Sequence, residues 1–406
     1  MAWDPLVAVE IGTSKVCALV GEAREDGLIL ITGLGVCPSR GCVRKGLILD
    51  LEKAAACVKR AIEDAEQTSR VEIGKVYLTV AGGHVRCLHS QGSVPVLDVR
   101  AGITPEDMEQ VKDVARAVNL PHDRELMHSI PCHYLVDDQP FVNNPRGMRG
   151  AKLALDMLLV HGARTALANA IQAVQGLGIE VADVAFSGLC AGMAILTPEQ
   201  KEAGVALVEL GAGTTNYLVY AGNAIALAGS LAVGGDHVTN DIAQAFNLSL
   251  KRAEQLKQDT GAGHLEPSQH IQELALPAEA GFSACSVSVS DVNTVIRARL
   301  DETFRLLARL FREQGLAQRL GAGIVLVGGG VQMKGLLPIA ECAFDLPAGI
   351  GRPIHFSGLT LAAEGVAYAA PLGMLRYAAR SLRRESEPGG LGRLVGSVLG
   401  RFWGRT

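Results

Sequence analysis

Val7-Ala8-Val9-Glu10-Ile11-Gly12-Thr13-Ser14-Lys15 is an apolar run with one glutamate, one more apolar residue, a glycine and a small hydroxyl segment. The pattern returns, 199 positions on, as Leu207-Val208-Glu209-Leu210-Gly211-Ala212-Gly213-Thr214-Thr215. A second apolar run follows each copy, so each reads as strand, tight glycine turn, strand. A spacing this long is a duplication of domains, because a solenoid repeats at about 20–50 residues. Glycine and small hydroxyl residues let the main chain wrap a phosphate with backbone N–H groups. One such hairpin alone reads as an ordinary β-turn. Two of them, with a later strand from Ile324 to Val327 running into Gly328-Gly329-Gly330, are more specific. Two lobes can then clamp a triphosphate, and the triple glycine can pass flat beneath an adenine ring.

The rest of the chain is globular. It has 406 residues, 48% hydrophobic and 20% charged, enough for two to four domains without disulfides or metals. A net charge of −4 argues against nucleic-acid binding. Nine cysteines without a C-x-x-C pair read as free thiols in a reducing cytoplasm. The start Met1-Ala2-Trp3-Asp4-Pro5 has no secretory character, and no apolar run is long enough to span a bilayer. No histidines have H-E-x-x-H spacing and there is no G-x-S-x-G elbow. Helices are expected after the caps Asp50, Thr104 and Ser249, over 164–176, and over 291–313. Residues 137–150 and 267–284 read as loops.

Val142-Asn143-Asn144-Pro145-Arg146-Gly147-Met148-Arg149-Gly150, the segment Val233 to Ala243 and Ala253-Glu254-Gln255-Leu256-Lys257 join the hairpins and the triple glycine in a further pattern. Together they resemble the FtsA family of bacterial cell-division proteins, within the actin, sugar-kinase and DnaK superfamily. The resemblance covers essentially the whole chain. It implies an α/β, two-lobed, actin-like fold of ribonuclease-H-like duplicated origin, with a small inserted domain and a C-terminal amphipathic helix. The expected first-lobe core is 1–83, continued by 164–192 and 363–385, with the insert at 84–163. The expected second-lobe core is 193–228 and 302–362, its outer subdomain 229–301, and 386–406 a linker and membrane helix.

The resemblance also implies ATP and Mg²⁺ as cofactors. Gly12, Thr13, Ser14 and Lys15 would face the phosphates from one lobe, and Gly211, Gly213, Thr214 and Thr215 from the other. Gly234 and Gly235 would lie against the sugar, and Glu254 and Lys257 would bracket the ribose and adenine edge. Gly328, Gly329, Gly330 and Met333 would line the adenine. Read alone, Glu254 and Lys257 are an i,i+3 surface ion pair. The family pattern has aspartates where this chain has Glu10 and Glu209, and another where it has Asn216. An extra methylene moves a carboxylate by roughly 1 Å against the strict geometry of Mg²⁺. Glu10 and Glu209, as catalytic groups and water-mediated Mg²⁺ holders, then either impair hydrolysis or recreate the same shell. ATP binding with weak or no ATPase activity is the expectation.

By the same resemblance the protein would polymerise on the inner face of the cytoplasmic membrane at the septum. It would tether FtsZ through that protein's C-terminal peptide, with Arg299 as a contact, and meet other division proteins. A PilM-type pilus platform and an actin-fold small-molecule kinase are the alternatives. The tail supplies the membrane contact. Leu391, Leu394, Val395, Val398, Leu399, Phe402 and Trp403 share one helical face, with Arg393 and Arg401 on the other. Arg376, Arg380, Arg383 and Arg384 add charge upstream, suited to an anionic surface.

Overall fold

A computed structural model describes residues 5–137, 139–261, 272–279, 281–358 and 365–385. The expected tail helix, 386–406, lies outside the described residues.

The duplication read from the hairpins extends to the topology of two sheets. In the first lobe, Ile29–Pro38, Lys15–Ala23, Leu6–Ile11, Lys75–Val80 and Glu180–Phe186 lie side by side in that order. In the second lobe, Ala224–Leu231, Thr215–Ala221, Val205–Leu210, Ile324–Val327 and Ala348–Ile350 repeat the order. In both sheets the first three strands pair antiparallel and the last two join in parallel. The short strand Phe356–Ser357 extends the first sheet beyond Ile29–Pro38.

Helix Leu51–Ser69 starts where Asp50 accepts a hydrogen bond from the Lys53 N–H. It buries Val58, Ala61 and Ile62, each of the larger two contributing about 2 kcal/mol. It lies so close to strand Ile29–Pro38 that a Cβ on Gly35 would stand 1.8 Å from the Ala61 carbonyl oxygen. The small inserted sheet has the order Arg86–Pro95, Lys152–Ala163, Arg124–Val136, Gln139–Val142. Helix Pro105–Arg116 covers it, opened by a reciprocal Thr104–Asp107 capping box. The second lobe carries helices Gly235–Ala245, Leu250–Thr260 and Val289–Glu313 on its outer side. In the last of these, Val292, Ile296, Leu300, Phe304, Leu307 and Phe311 form one buried stripe. The second lobe and the insert each have an apolar core, and the first-lobe core runs on into the second sheet through Val205, Leu207, Leu218 and Val325.

Two helices tie the lobes together. Ser187–Ile195 follows the first-lobe strand Glu180–Phe186, and Ala369–Glu385 crosses it. A Cβ on Gly373 would sit 1.7 Å from the Cys190 carbonyl oxygen, so the backbones touch. The hinge helix Ser187–Ile195 has no periodic signal in the sequence because nearly all of its residues are buried, on every side.

Two expected loops contain short strands. Gln139–Val142 is an edge strand paired with Arg124–Val136. Glu273–Leu276 pairs with Cys285–Ser288. Four-residue strands with one half-buried face carry too few alternating positions to stand out from turn-rich sequence.

One histidine fastens the insert to the first lobe, and two more knit the two ends of the insert to each other. His128 is buried and its Nε2 accepts the Phe186 N–H at 2.9 Å. His84 Nδ1 accepts the Ala163 N–H, while Arg124 donates to His161 Nδ1 and to the His84 carbonyl. Burial holds all three imidazoles at about 4, with Arg124 assisting at His84 and His161. These values lie below the ordinary 6.5. The unfolded chain therefore binds more protons in that window, and stability is lost as pH falls through it. For His128 the effect is about 3 kcal/mol once fully expressed. Thermal unfolding followed from pH 7 to pH 5 should show a falling midpoint, and His128→Gln should flatten the fall. An unchanged slope in the variant would show that His128 does not carry it.

Candidate functional site

The two glycine hairpins have the same turn. The Gly12 N–H donates to the Lys15 carbonyl at 3.0 Å, and the Gly211 N–H to the Thr214 carbonyl at 2.9 Å. A Cβ at either glycine would press on that same carbonyl, at 2.8 and 3.0 Å. The tips meet across the cleft. A Cβ on Gly213 would stand 2.5 Å from Thr13 Oγ1 and 2.8 Å from the Lys45 nitrogen. Thr13 Oγ1 also accepts the Gly46 N–H at 3.1 Å. The segment Ser39 to Gly46 therefore props the first hairpin, with Ser39 Oγ donating to the Gly12 carbonyl at 2.6 Å. The sequence does not single out this segment, because its contacts are all made through the fold.

Glu10 and Glu209 stand at matching places behind the two turns. Burial raises the pKa of both, Lys15 opposing the rise at Glu10, and the charge of Glu10 adding to it at Glu209. Glu209 accepts a 2.8 Å hydrogen bond from Asn216 Nδ2. Asn216 Oδ1 is buried with no hydrogen-bond partner. Two carboxylates that repel one another beside an orphaned acceptor are an oxygen-rich, donor-poor setting. That setting fits a hard, hydrated cation such as Mg²⁺. Among the described residues, no group of three or more acidic, histidine or cysteine side chains is arranged to hold a metal directly.

Several expected phosphate contacts have other partners. Thr215 is fully buried and its hydroxyl donates to the Val233 carbonyl. Thr214 is also buried, and Ser14 is half-buried. Lys15 rests its ammonium 3.7 Å over the Tyr368 ring. Gly234 packs on the second hairpin, its missing Cβ 2.6 Å from the carbonyls of Gly211 and Ala212. The N–H groups of Gly235 and Asp236 donate to those same carbonyls. These glycines let helix Gly235–Ala245 seat its first turn on the hairpin.

Glu254 and Lys257 are not a surface pair. Each side chain is only 12% exposed, and they are 2.8 Å apart. Lys257 also donates to the Gly235 carbonyl and to Thr239 Oγ1. Glu254 accepts from Thr239, Gln258 and, at 2.9 Å, Arg40 of the other lobe. Burial opposes its charge, but the bonds from Lys257 and Thr239 outweigh burial and hold the carboxyl at about 2. Arg40 was not legible as a partner, since nothing local in the sequence points it at Glu254.

The triple glycine divides its work. Gly328 has φ +92°, and a Cβ there would lie 2.5 Å from the Leu210 carbonyl oxygen. Gly330 presses on the Leu210 side chain. A Cβ on Gly329 would meet nothing within 4 Å. Met333 is half-buried against the second core. Arg299 makes a two-point ion pair with Asp241, at 2.6 and 3.1 Å, and also bonds Glu302. A separate cavity of about 590 Å³ lies between the insert and the second lobe, beside His89, His133, Asp156 and Arg319. His133 and Gln91 both bond Asp156 there.

Residues 206–373 match the family model described as cell division protein FtsA. Residues 82–161 match the SHS2 domain inserted in that family. The cell division protein FtsA of Pseudomonas aeruginosa is 34% identical, over 94% of this chain and 90% of its own. That of Escherichia coli K12 is 35% identical, over 94% of this chain and 92% of its own. Among solved structures, the PilM–PilN type IV pilus biogenesis complex aligns over 94% of this chain and 99% of that one, with TM-score 0.63 and 17% identity. MreB5 of Spiroplasma citri bound to ADP aligns over 95% of this chain and 99% of that one, with TM-score 0.54 and 14% identity.

Proposed function

This chain belongs to the FtsA family of actin-like cell-division proteins, and on that premise we propose that it binds ATP with Mg²⁺ between its lobes. The observation that carries the reading is the pair of like-built hairpins touching at Thr13 and Gly213, with Glu10 and Glu209 behind them. Gly12 to Lys15 and Gly211 to Thr214 surround the phosphates, Glu254 and Lys257 the ribose, and Gly329 the adenine. Lys15 leaves Tyr368 for the phosphates. Mg²⁺ supplies charge neutralisation for the phosphates, and Glu10 and Glu209 hold its water shell. Turnover is slow, since longer carboxylates and an amide at Asn216 replace the shorter acid geometry.

Partners belong to the division machinery. In our reading the protein assembles into filaments on the inner membrane face, anchored by 391–403, and holds FtsZ there. Among the described residues no helix is long and apolar enough to cross a membrane, which suits a peripheral anchor. The PilM likeness, at 17% identity, speaks for the fold alone.

Three outcomes test this reading. Gly329→Trp should leave the fold intact, because its side chain enters open space, yet lower ATP affinity at least tenfold, about 1.4 kcal/mol, by calorimetry. Equal affinity sinks the adenine assignment. Arg299→Glu should abolish binding of an FtsZ C-terminal peptide, whereas Asp241→Asn should strengthen it by removing the carboxylate that occupies Arg299. Peptide anisotropy that ignores both substitutions rejects this contact. Deleting the residues after Gly390 should end co-sedimentation with anionic vesicles; retained binding rules the tail out as anchor.

A further inference from the structure

Glu254 has no acceptor left for a ribose hydroxyl. Its Oε2 takes hydrogen bonds from Thr239 Oγ1 at 2.5 Å and from Lys257 Nζ at 2.8 Å. Its Oε1 takes Gln258 Nε2 at 2.7 Å and Arg40 Nη2 at 2.9 Å. A carboxylate offers about four lone-pair sites, so these four donors fill it. Glu254 can accept from a ribose only if one of them withdraws.

Arg40 is the donor placed to withdraw. Thr239, Lys257 and Gln258 all belong to the second lobe, on the helix of Glu254 or on the one packed against it. The Lys257 side chain is only 12% exposed and is held by the Gly235 carbonyl and Thr239 Oγ1 as well. Gln258 lies one turn along the helix of Glu254 and moves with it. Arg40 alone crosses from the first lobe, and its side chain is 52% exposed. An ion pair open to water on one side is weak enough to be exchanged.

The root of Arg40 is fixed where its tip is not. Ser39 is wholly buried and donates to the Gly12 carbonyl at 2.6 Å, and the N–H groups of Cys42 and Val43 both return to the Ser39 carbonyl. The Gly46 N–H donates to Thr13, and the Lys45 backbone meets Gly213. Residues 39–46 thus touch both hairpins and, through Arg40, reach Glu254.

We propose that Arg40 is a latch across the nucleotide cleft, filling the place on Glu254 that ribose hydroxyls take. The proposal rests on the assignment of Glu254 to the ribose. A protein that must first undo its own contact binds its ligand more weakly, by the fraction of molecules in which that contact is open. Arg40 therefore sets how strongly this chain senses the ribose. A hydroxyl that displaces the guanidinium exchanges one bond for another, whereas a nucleotide without hydroxyls offers Glu254 nothing and leaves the latch shut.

Calorimetry on the full-length protein with Mg²⁺, comparing ATP with its analogue lacking both ribose hydroxyls, tests the latch. The two carry the same triphosphate, so the positive charge lost in Arg40→Ala affects them alike. The ratio of their affinities then isolates the hydroxyl contact. Arg40→Ala should raise the preference for ATP over the analogue by about tenfold, since Glu254 gains an open site for a hydroxyl donor. Binding of the analogue by the variant shows that it is folded. A ratio unchanged by Arg40→Ala, with both nucleotides bound, overturns the latch and leaves the nucleotide site standing. No binding of either nucleotide by the unmodified chain overturns the nucleotide site itself, and the latch with it.

Discussion

The contact of Gly373 with the Cys190 carbonyl sets the geometry of everything else. Two helices that meet backbone to backbone cannot slide or separate by a fraction of a side chain, because no side chain lies between them at the crossing. Close packing transmits this constraint outward. The hinge helix leads out of the first sheet, and the crossing helix lies against strands of that sheet. The hinge helix also packs against strands Val205–Leu210, Thr215–Ala221 and Ala224–Leu231 of the second sheet, so the two sheets are held at one separation. The same crossing allows change by rotation, since a single close point between two rods is also a pivot.

What the hairpins then build is a site of unbalanced charge. Glu10 and Glu209 are desolvated together, and the charge of Glu10 makes Glu209 harder to ionise. Around Glu254 the balance is opposite. Its carboxylate is ringed by donors from both lobes and stays charged despite burial. One side of the cleft thus calls for a cation, while the other is already neutralised by the protein. The lobes are linked there by Arg40, a contact that belongs to neither hairpin.

The sequence shows most plainly what is local. The glycine turns, the glutamates behind them, the caps at Asp50, Thr104 and Ser249, and the long stripe of helix Val289–Glu313 all follow from neighbouring residues. The family itself is carried by motifs of that kind. Long-range contacts leave no such trace. Nothing near Arg40 announces Glu254, and nothing near Tyr368 announces Lys15. The i,i+3 spacing of Glu254 and Lys257 was visible, but their burial was not, because it depends on helix Gly235–Ala245 closing over them. The hinge helix was hidden for another reason: a segment buried on all sides has no polar face to set its period.

The meeting of Gly213 with Thr13 and Lys45 has a consequence for how this chain can vary. Three positions, far apart in the sequence and on different lobes, share a single small volume. A bulkier residue at 213 is tolerable only if the Thr13 side chain or the backbone at Lys45 retreats. Chimaeras that graft one lobe of a relative onto the other lobe of this chain must carry the matching partner with them. Pairwise statistics across relatives should link 13 with 213, while the backbone contact at 45 leaves the residue there free to vary.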